Sequence, residues 1–155
     1  MISFKQTSSD DPGFHSLVKL LDADLAIRDG KDHSFFAQYN KLDDIKHVVV
    51  AYFNGEPAGC GAIKKYDEIT MEVKRMFVKP EFRGKGIARA VLSSLEKWAA
   101  ELGYSHCILE TGKRQPEAIS LYKTSGYALI PNYGQYENVE TSVCMKKKVG
   151  GEAGY

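Results

Sequence analysis

Lys79-Pro80-Glu81-Phe82-Arg83-Gly84-Lys85-Gly86-Ile87-Ala88-Arg89 joins a strand-like run to a helix-like run, and its reading decides the fold. On its N-terminal side, Ile69 to Val78 reads as a strand that stops at Pro80, since proline has no N–H for a ladder. On its C-terminal side, Ile87, Val91, Leu95, Trp98 and Leu102 are spaced four, four, three and four apart. That spacing is one apolar face of a helix of roughly sixteen residues, with Gly103 as its stop. Glycines in such a turn let backbone approach a ligand closely. The unpaired first N–H groups of the helix and its dipole then make an anion site suited to a pyrophosphate. The stretch is not a Walker loop, because Gly84-Lys85-Gly86 lacks the four-residue gap and the Lys-Ser/Thr ending, and Arg89 breaks the dinucleotide fingerprint. A glycine turn before a helix is commonly a plain connector; Arg83, Lys85 and Arg89 move the reading toward phosphate.

Charge supports a small anionic ligand. From Lys74 to Arg89 six basic residues stand against the single acidic Glu81, while the whole chain carries only +1. The rest is therefore mildly acidic, which argues against nucleic acid and against an anionic membrane surface as partners.

Outward from this stretch the chain reads as one domain over residues 1–149 with a frayed tail at 150–155. Ile2 to Lys5 opens as a strand. Asp11-Pro12 starts a helix that carries Phe14, Leu17, Val18, Leu21 and Leu25 and stops at Gly30. A short helix is predicted over Ser34–Asn40. His47 to Phe53, the Asn54-Gly55 turn, Ala58 to Lys65 and Ile69 to Val78 form an antiparallel meander, in which the glycine-broken middle strand is the weakest element. After the helix come a short buried strand at Cys107–Leu109 and a helix from Pro116 to Gly126. Final strands follow at Tyr127–Ile130 and Glu140–Lys146. The expected fold is α/β: a mixed, mostly antiparallel sheet of about six to seven strands with helices on both faces.

The 155 residues, 43% hydrophobic and 26% charged, have the balance of a globular domain and exclude wholesale disorder. Met1 to Asp10 does not read as a signal peptide, and no apolar run has the length of a membrane span. Three scattered cysteines, Cys60, Cys107 and Cys144, read as free thiols in a reducing compartment, so a cytoplasmic location is expected. No Cys or His pair has zinc-ligand spacing, so no metal is expected.

Arg83-Gly84-Lys85-Gly86-Ile87-Ala88 resembles the Arg/Gln-x-x-Gly-x-Gly/Ala signature of the GNAT N-acetyltransferase superfamily. The resemblance spans about Val48 to Tyr127. Arg75 to Phe82 is similar to the family's fourth strand and its exit, Leu109-Glu110-Thr111-Gly112 to the fifth strand, and Ala118 to Tyr127 to the helix that follows. It implies an acyltransferase that binds acetyl-coenzyme A as co-substrate and passes the acetyl group directly to an amine. The family's frequent Asn before the last helix is Gln115 here, which is not carried over as a ligand.

By that resemblance, Met76, Phe77 and Val78 line the pantetheine arm, and a backbone N–H at Phe77 or Val78 polarises the thioester carbonyl. Arg83, Gly84, Lys85, Gly86, Ile87 and Ala88 hold the diphosphate. Glu72 is the first candidate for the base and Glu110 the second, against a plain reading of Glu72 as a strand residue paired to Lys74 or Arg75. Tyr122 stands where relatives carry the general acid; its plain reading is a core tyrosine. Glu72, Glu110, Asp43 and Asp44 are candidates to attract a cationic amine, and Phe35, Phe36 and Tyr39 to line an acceptor pocket. The acceptor, small molecule or protein, stays open, as does a homodimer through the final strands. The alternative from another class is an acetyl-coenzyme A sensor that has lost transfer.

Overall fold

Local chemistry sets the first elements. In the computed structural model, which describes residues 1–29 and 45–150, strand β1 (Ile2–Thr7) leads into helix α1 (Pro12–Asp29). Asp11 caps that helix as its sequence predicts: Oδ1 accepts the backbone N–H groups of Gly13 (2.8 Å) and Phe14 (3.2 Å). The predicted helix at Ser34–Asn40, with Phe35, Phe36, Tyr39, Asp43 and Asp44, lies outside the described residues, as does the tail from residue 151.

Strands β2 (His47–Phe53), β3 (Glu56–Asp67) and β4 (Thr70–Val78) form the expected meander. Asn54 and Gly55 turn the first hairpin with φ of 51° and 86°, the left-handed pair that a two-residue hairpin loop requires. A 3-10 turn at Pro80–Phe82 leads to helix α2 (Ile87–Glu101), then β5 (His106–Gly112), α3 (Pro116–Thr124), β6 (Ala128–Ile130), a 3-10 turn at Gly134–Tyr136 and β7 (Ser142–Lys148). The strand order is β1-β2-β3-β4-β5-β7-β6. The pairings β1–β2, β2–β3, β5–β7 and β6–β7 are antiparallel and β4–β5 is parallel. The seven-stranded mixed sheet is the predicted fold class. Several boundaries differ: β1 runs to Thr7 and not Lys5, β3 spans Glu56–Asp67 and not Ala58–Lys65, β5 spans His106–Gly112 and not Cys107–Leu109, and β7 spans Ser142–Lys148 and not Glu140–Lys146. Among the described residues no helix is long and apolar enough to cross a membrane.

The chain divides into two compact units, Met1–Lys64 with Lys74–Leu95, and Lys65–Val73 with residues from Glu96 onward. In the first, Phe14, Leu17, Val18 and Leu21 of α1 pack with Val48, Val50, Cys60, Ala62 and Phe77. The alternate residues of β3 face the other way, toward α2. An ideal Cβ on Gly61 would lie 2.5 Å from the Met76 sulfur and 2.8 Å from Leu95 Cδ1; on Gly59 it would lie 3.0 Å from Ile87 Cγ2. The glycines that weakened β3 as a sequence prediction are thus what lets α2 seat on the sheet, and this unit has a helix on each face. In the second unit, Leu109 pairs with Met145 and Glu110 with Cys144 across β5–β7, and Cys107, Ile108 and Leu109 are buried.

Candidate active site

The first unit presents backbone. Gly84 and Gly86 sit at φ of 80° and 79°, and a Cβ placed on either meets no atom within 4 Å. The Ala90 N–H bonds back to the Gly86 carbonyl (3.1 Å), so Gly86 is the N-cap of α2. Glycine has no side chain to cap with, and Ile87, Ala88 and Arg89, as first-turn residues, have no intrahelical acceptor for their N–H groups. Open space, left-handed glycines and outward amides at a positive helix end fit a diphosphate.

The basic residues divide their labour. Arg83 Nε donates to the Val78 carbonyl (2.8 Å), and its guanidinium lies 5.6 Å from the Phe77 ring centroid. Lys85 Nζ stands 5.6 Å from the Phe53 ring centroid, and Phe53 packs on Phe82 at 5.2 Å. Both side chains therefore brace the turn. Lys79 reaches Glu56 (3.1 Å). Arg75 is buried, its Nη1 3.4 Å from Asp22. Much of the positive charge that the sequence concentrates here is thus engaged with protein groups.

Strand β4 bends where the pantetheine arm is expected. Arg75 has φ of 61°, a left-handed conformation that costs a non-glycine residue roughly 1–2 kcal/mol, while the strand's alternation of buried and half-buried residues continues through it to Phe77. Beyond it, Phe77 points into the α1 core and Met76 packs over Gly61. Phe77 and Val78 are buried and Met76 is half-buried, so it is their backbone that is available for the role expected of Met76, Phe77 and Val78.

The second unit presents side chains. The parallel register sets Glu72 beside Ile108, and the antiparallel register sets Glu110 beside Cys144. Because alternate residues of a strand share a face, Glu72 and Glu110 fall on the same face. The Tyr133 hydroxyl donates to Glu72 Oε2 (2.7 Å), and the Ser142 hydroxyl donates to Glu110 Oε2 (2.8 Å). Neither donor was expected from the sequence. The turn signal of Asn132-Tyr133-Gly134 is legible there, but nothing in it ties Tyr133 to a residue sixty-one positions away.

Tyr122 projects from α3, buried, with its ring edge-on to Tyr127 at 5.9 Å. Burial first, and then the Glu110 carboxylate, push its phenol above the ordinary tyrosine range. It therefore stays protonated at neutral pH and holds a hydrogen to donate. Gln115 precedes α3 without capping it through its side chain, and its Nε2 turns back toward Gly112. All three cysteines are buried and free. Burial pushes Cys60 and Cys107 up to about 12 and Cys144 to about 11, which makes each a poor nucleophile at neutral pH.

Residues 14–127 match the model of the acetyltransferase (GNAT) family. An IAA acetyltransferase of Azospirillum brasilense is 41% identical over 119 residues, 72% of this chain and 78% of that one. Among solved structures, a Klebsiella pneumoniae protein assigned to the acyl-CoA N-acyltransferases superposes with a TM-score of 0.81 at 27% identity, covering 96% of this chain and 98% of its own. The PaiA N-acetyltransferase of Thermoplasma acidophilum, solved in complex with coenzyme A, shares the fold at a TM-score of 0.71 and 17% identity, covering 96% and 99%.

Proposed function

Because this chain belongs to the GNAT acetyltransferase family and is thereby an acyltransferase, we propose that it transfers acetyl from acetyl-coenzyme A to an amine, directly and without an acetyl-enzyme. The observation that carries the choice of donor is the Gly84–Gly86 turn, open to a ligand and backed by the first-turn amides of α2. The coenzyme A complex of the Thermoplasma fold neighbour supports the same donor. When bound, acetyl-coenzyme A supplies an activated thioester.

The chain's residues do the rest. The amides of residues 84–88 bind the diphosphate, while Arg83 and Lys85 hold the turn in shape. A backbone N–H at Phe77 or Val78 takes up negative charge developing on the carbonyl oxygen. An amine with an ordinary pKa of about 10.4 needs roughly 4.6 kcal/mol to be neutral at pH 7, so a proton acceptor speeds the reaction. Glu72 takes that role, with Glu110 as the second carboxylate. Tyr122 donates its hydrogen to the departing sulfur. The raised thiols of the three cysteines favour direct transfer over a covalent acetyl-cysteine.

Acetyl-coenzyme A at about 100 times its Kd should stabilise the folded protein by ~2.7 kcal/mol, read as a rise in melting temperature. Gly86→Glu should remove the rise, by placing a carboxylate where the diphosphate lies. Gly86→Ala controls for backbone strain at φ of 79°. An unchanged rise in folded Gly86→Glu protein would move the cofactor elsewhere. Free thiol released with an amine panel tests transfer; binding without release would turn the reading to a sensor.

A further inference from the structure

Resting on the reading of Glu72 as proton acceptor, we infer that Tyr133 is a positioning residue for the transfer, its hydroxyl orienting the Glu72 carboxylate toward the incoming amine. The bond from the Tyr133 hydroxyl to Glu72 Oε2 is 2.7 Å, within the short range of about 2.5–2.7 Å typical of a hydroxyl on an ionised carboxylate. A carboxylate on a strand can rotate about its last torsion at little cost. A donor fixed on one oxygen stops that rotation and so sets the direction of the lone pairs on the other.

Tyr133 can do this because it is itself held. Its ring meets Tyr66 edge-on at 5.2 Å and Tyr136 at 5.8 Å, with interplanar angles of 72° and 89°. Its backbone carbonyl accepts the Tyr136 N–H (2.9 Å). One residue earlier, the Asn132 amide donates to the carbonyls of Val139 (3.0 Å) and Ser142 (3.2 Å), pinning a segment with little regular structure to the start of β7. A ring gripped from two sides on a pinned loop delivers its hydroxyl to one place.

The surrounding groups leave this donor to Glu72. Tyr136, Cys144 and Glu110 are the other ionisable groups of the cluster. Glu110 has its own hydroxyl donor in Ser142 (2.8 Å). Burial, then the Glu72 charge and the bond to it, raise the Tyr133 phenol well above the ordinary tyrosine range, so it remains a donor throughout the neutral range. A merely structural tyrosine would be served by its ring alone.

The test is a double-mutant cycle that pairs Tyr133→Phe with Glu72→Leu, which leaves no acceptor for the hydroxyl, on the unloaded protein, and with Glu72→Gln, which removes the proton acceptor, in the transfer assay. Phenylalanine keeps the ring contacts and removes only the hydroxyl. In the unloaded protein, the two losses in melting temperature should be non-additive, the double variant falling little further than the worse single one. In the assay, Tyr133→Phe should lower kcat about tenfold with the Kd for acetyl-coenzyme A held within about twofold, and should cause no further loss in the Glu72→Gln background. Additive melting losses, or an equal kcat loss in both backgrounds, would overturn the role. Loss in Glu72→Gln with none in Tyr133→Phe would overturn the positioning role and leave Glu72 as base. Full activity in Glu72→Gln would overturn both.

Discussion

Residues 83–88 present backbone, whereas Glu72, Glu110, Tyr122 and Tyr133 present side chains, and the two regions differ in how they are built. The glycine turn is made from six consecutive residues. Its conformation follows from the left-handed φ of Gly84 and Gly86 and from the start of α2, and its cations mostly brace the loop. The carboxylate cluster is gathered from β4, β5, α3, the residue just before the Gly134–Tyr136 turn, and β7. Each carboxylate there is steadied by a hydroxyl that arrives from another element. A backbone site tolerates side-chain change wherever φ allows it; a side-chain site depends on single oxygen atoms.

That contrast can be broken most sharply at Tyr122. Tyr122→Phe retains the ring and its packing on Tyr127 but loses the hydrogen offered to sulfur. The expected loss is ~10²–10⁴ in rate, in kcat and kcat/KM together, with cofactor Kd unchanged. Retention of more than about half of kcat in a chemistry-limited assay would make Tyr122 a packing residue.

A substitution beneath α2 should behave in the opposite way. Gly61→Val puts methyl groups where the Met76 sulfur and Leu95 already sit, and overpacking of this kind costs about 1–3 kcal/mol. Denaturant unfolding should show that loss. Because α2 carries the turn, weaker acetyl-coenzyme A binding should accompany it, with kcat at saturation little altered. A variant as stable as wild type would mean that the glycine is not what seats α2.

The smallest effect belongs to a residue of the first unit that neither site uses. Asp11→Ala removes the cap of α1 and should cost about 1 kcal/mol. Burial works to raise the Asp11 carboxyl, but the bonds from Lys5 and from the N–H groups of Phe14 and Gly13 prevail and hold it below its ordinary 3.8. Its contribution is therefore present above that value and fades as pH falls through the lower, folded one. Melting curves of wild type and Asp11→Ala should converge in that acid window and keep their full separation at neutral pH. Curves separated equally at all pH values would assign the cap to neutral hydrogen bonding alone. Transfer activity should not change.

What could be read from the chain alone is what short-range geometry governs. The Asn54-Gly55 hairpin, the Asp11 cap, the Ile87-Val91-Leu95 face of α2 and the glycine turn all rest on residues within a few positions of one another and stand in the structure. Trp98, by contrast, is only half-buried and Leu102, past the end of α2, is exposed, because Leu92 and Ala99 take the buried side instead. Tyr122 and Glu72 were legible as candidates only through their place in a family pattern. The tertiary structure alone decided which hydroxyl meets which carboxylate. Tyr133 reaches Glu72, and Ser142 reaches Glu110, because β4–β5 and β5–β7 pair in particular registers. It also gave Arg75 its left-handed turn and Gly59 and Gly61 their purpose beneath α2. Local φ preference and hydrophobic period act within one element and so are written in adjacent letters. Strand pairing joins residues thirty to sixty positions apart through backbone bonds that every residue but proline offers, so the choice of partner strand is not written in adjacent letters.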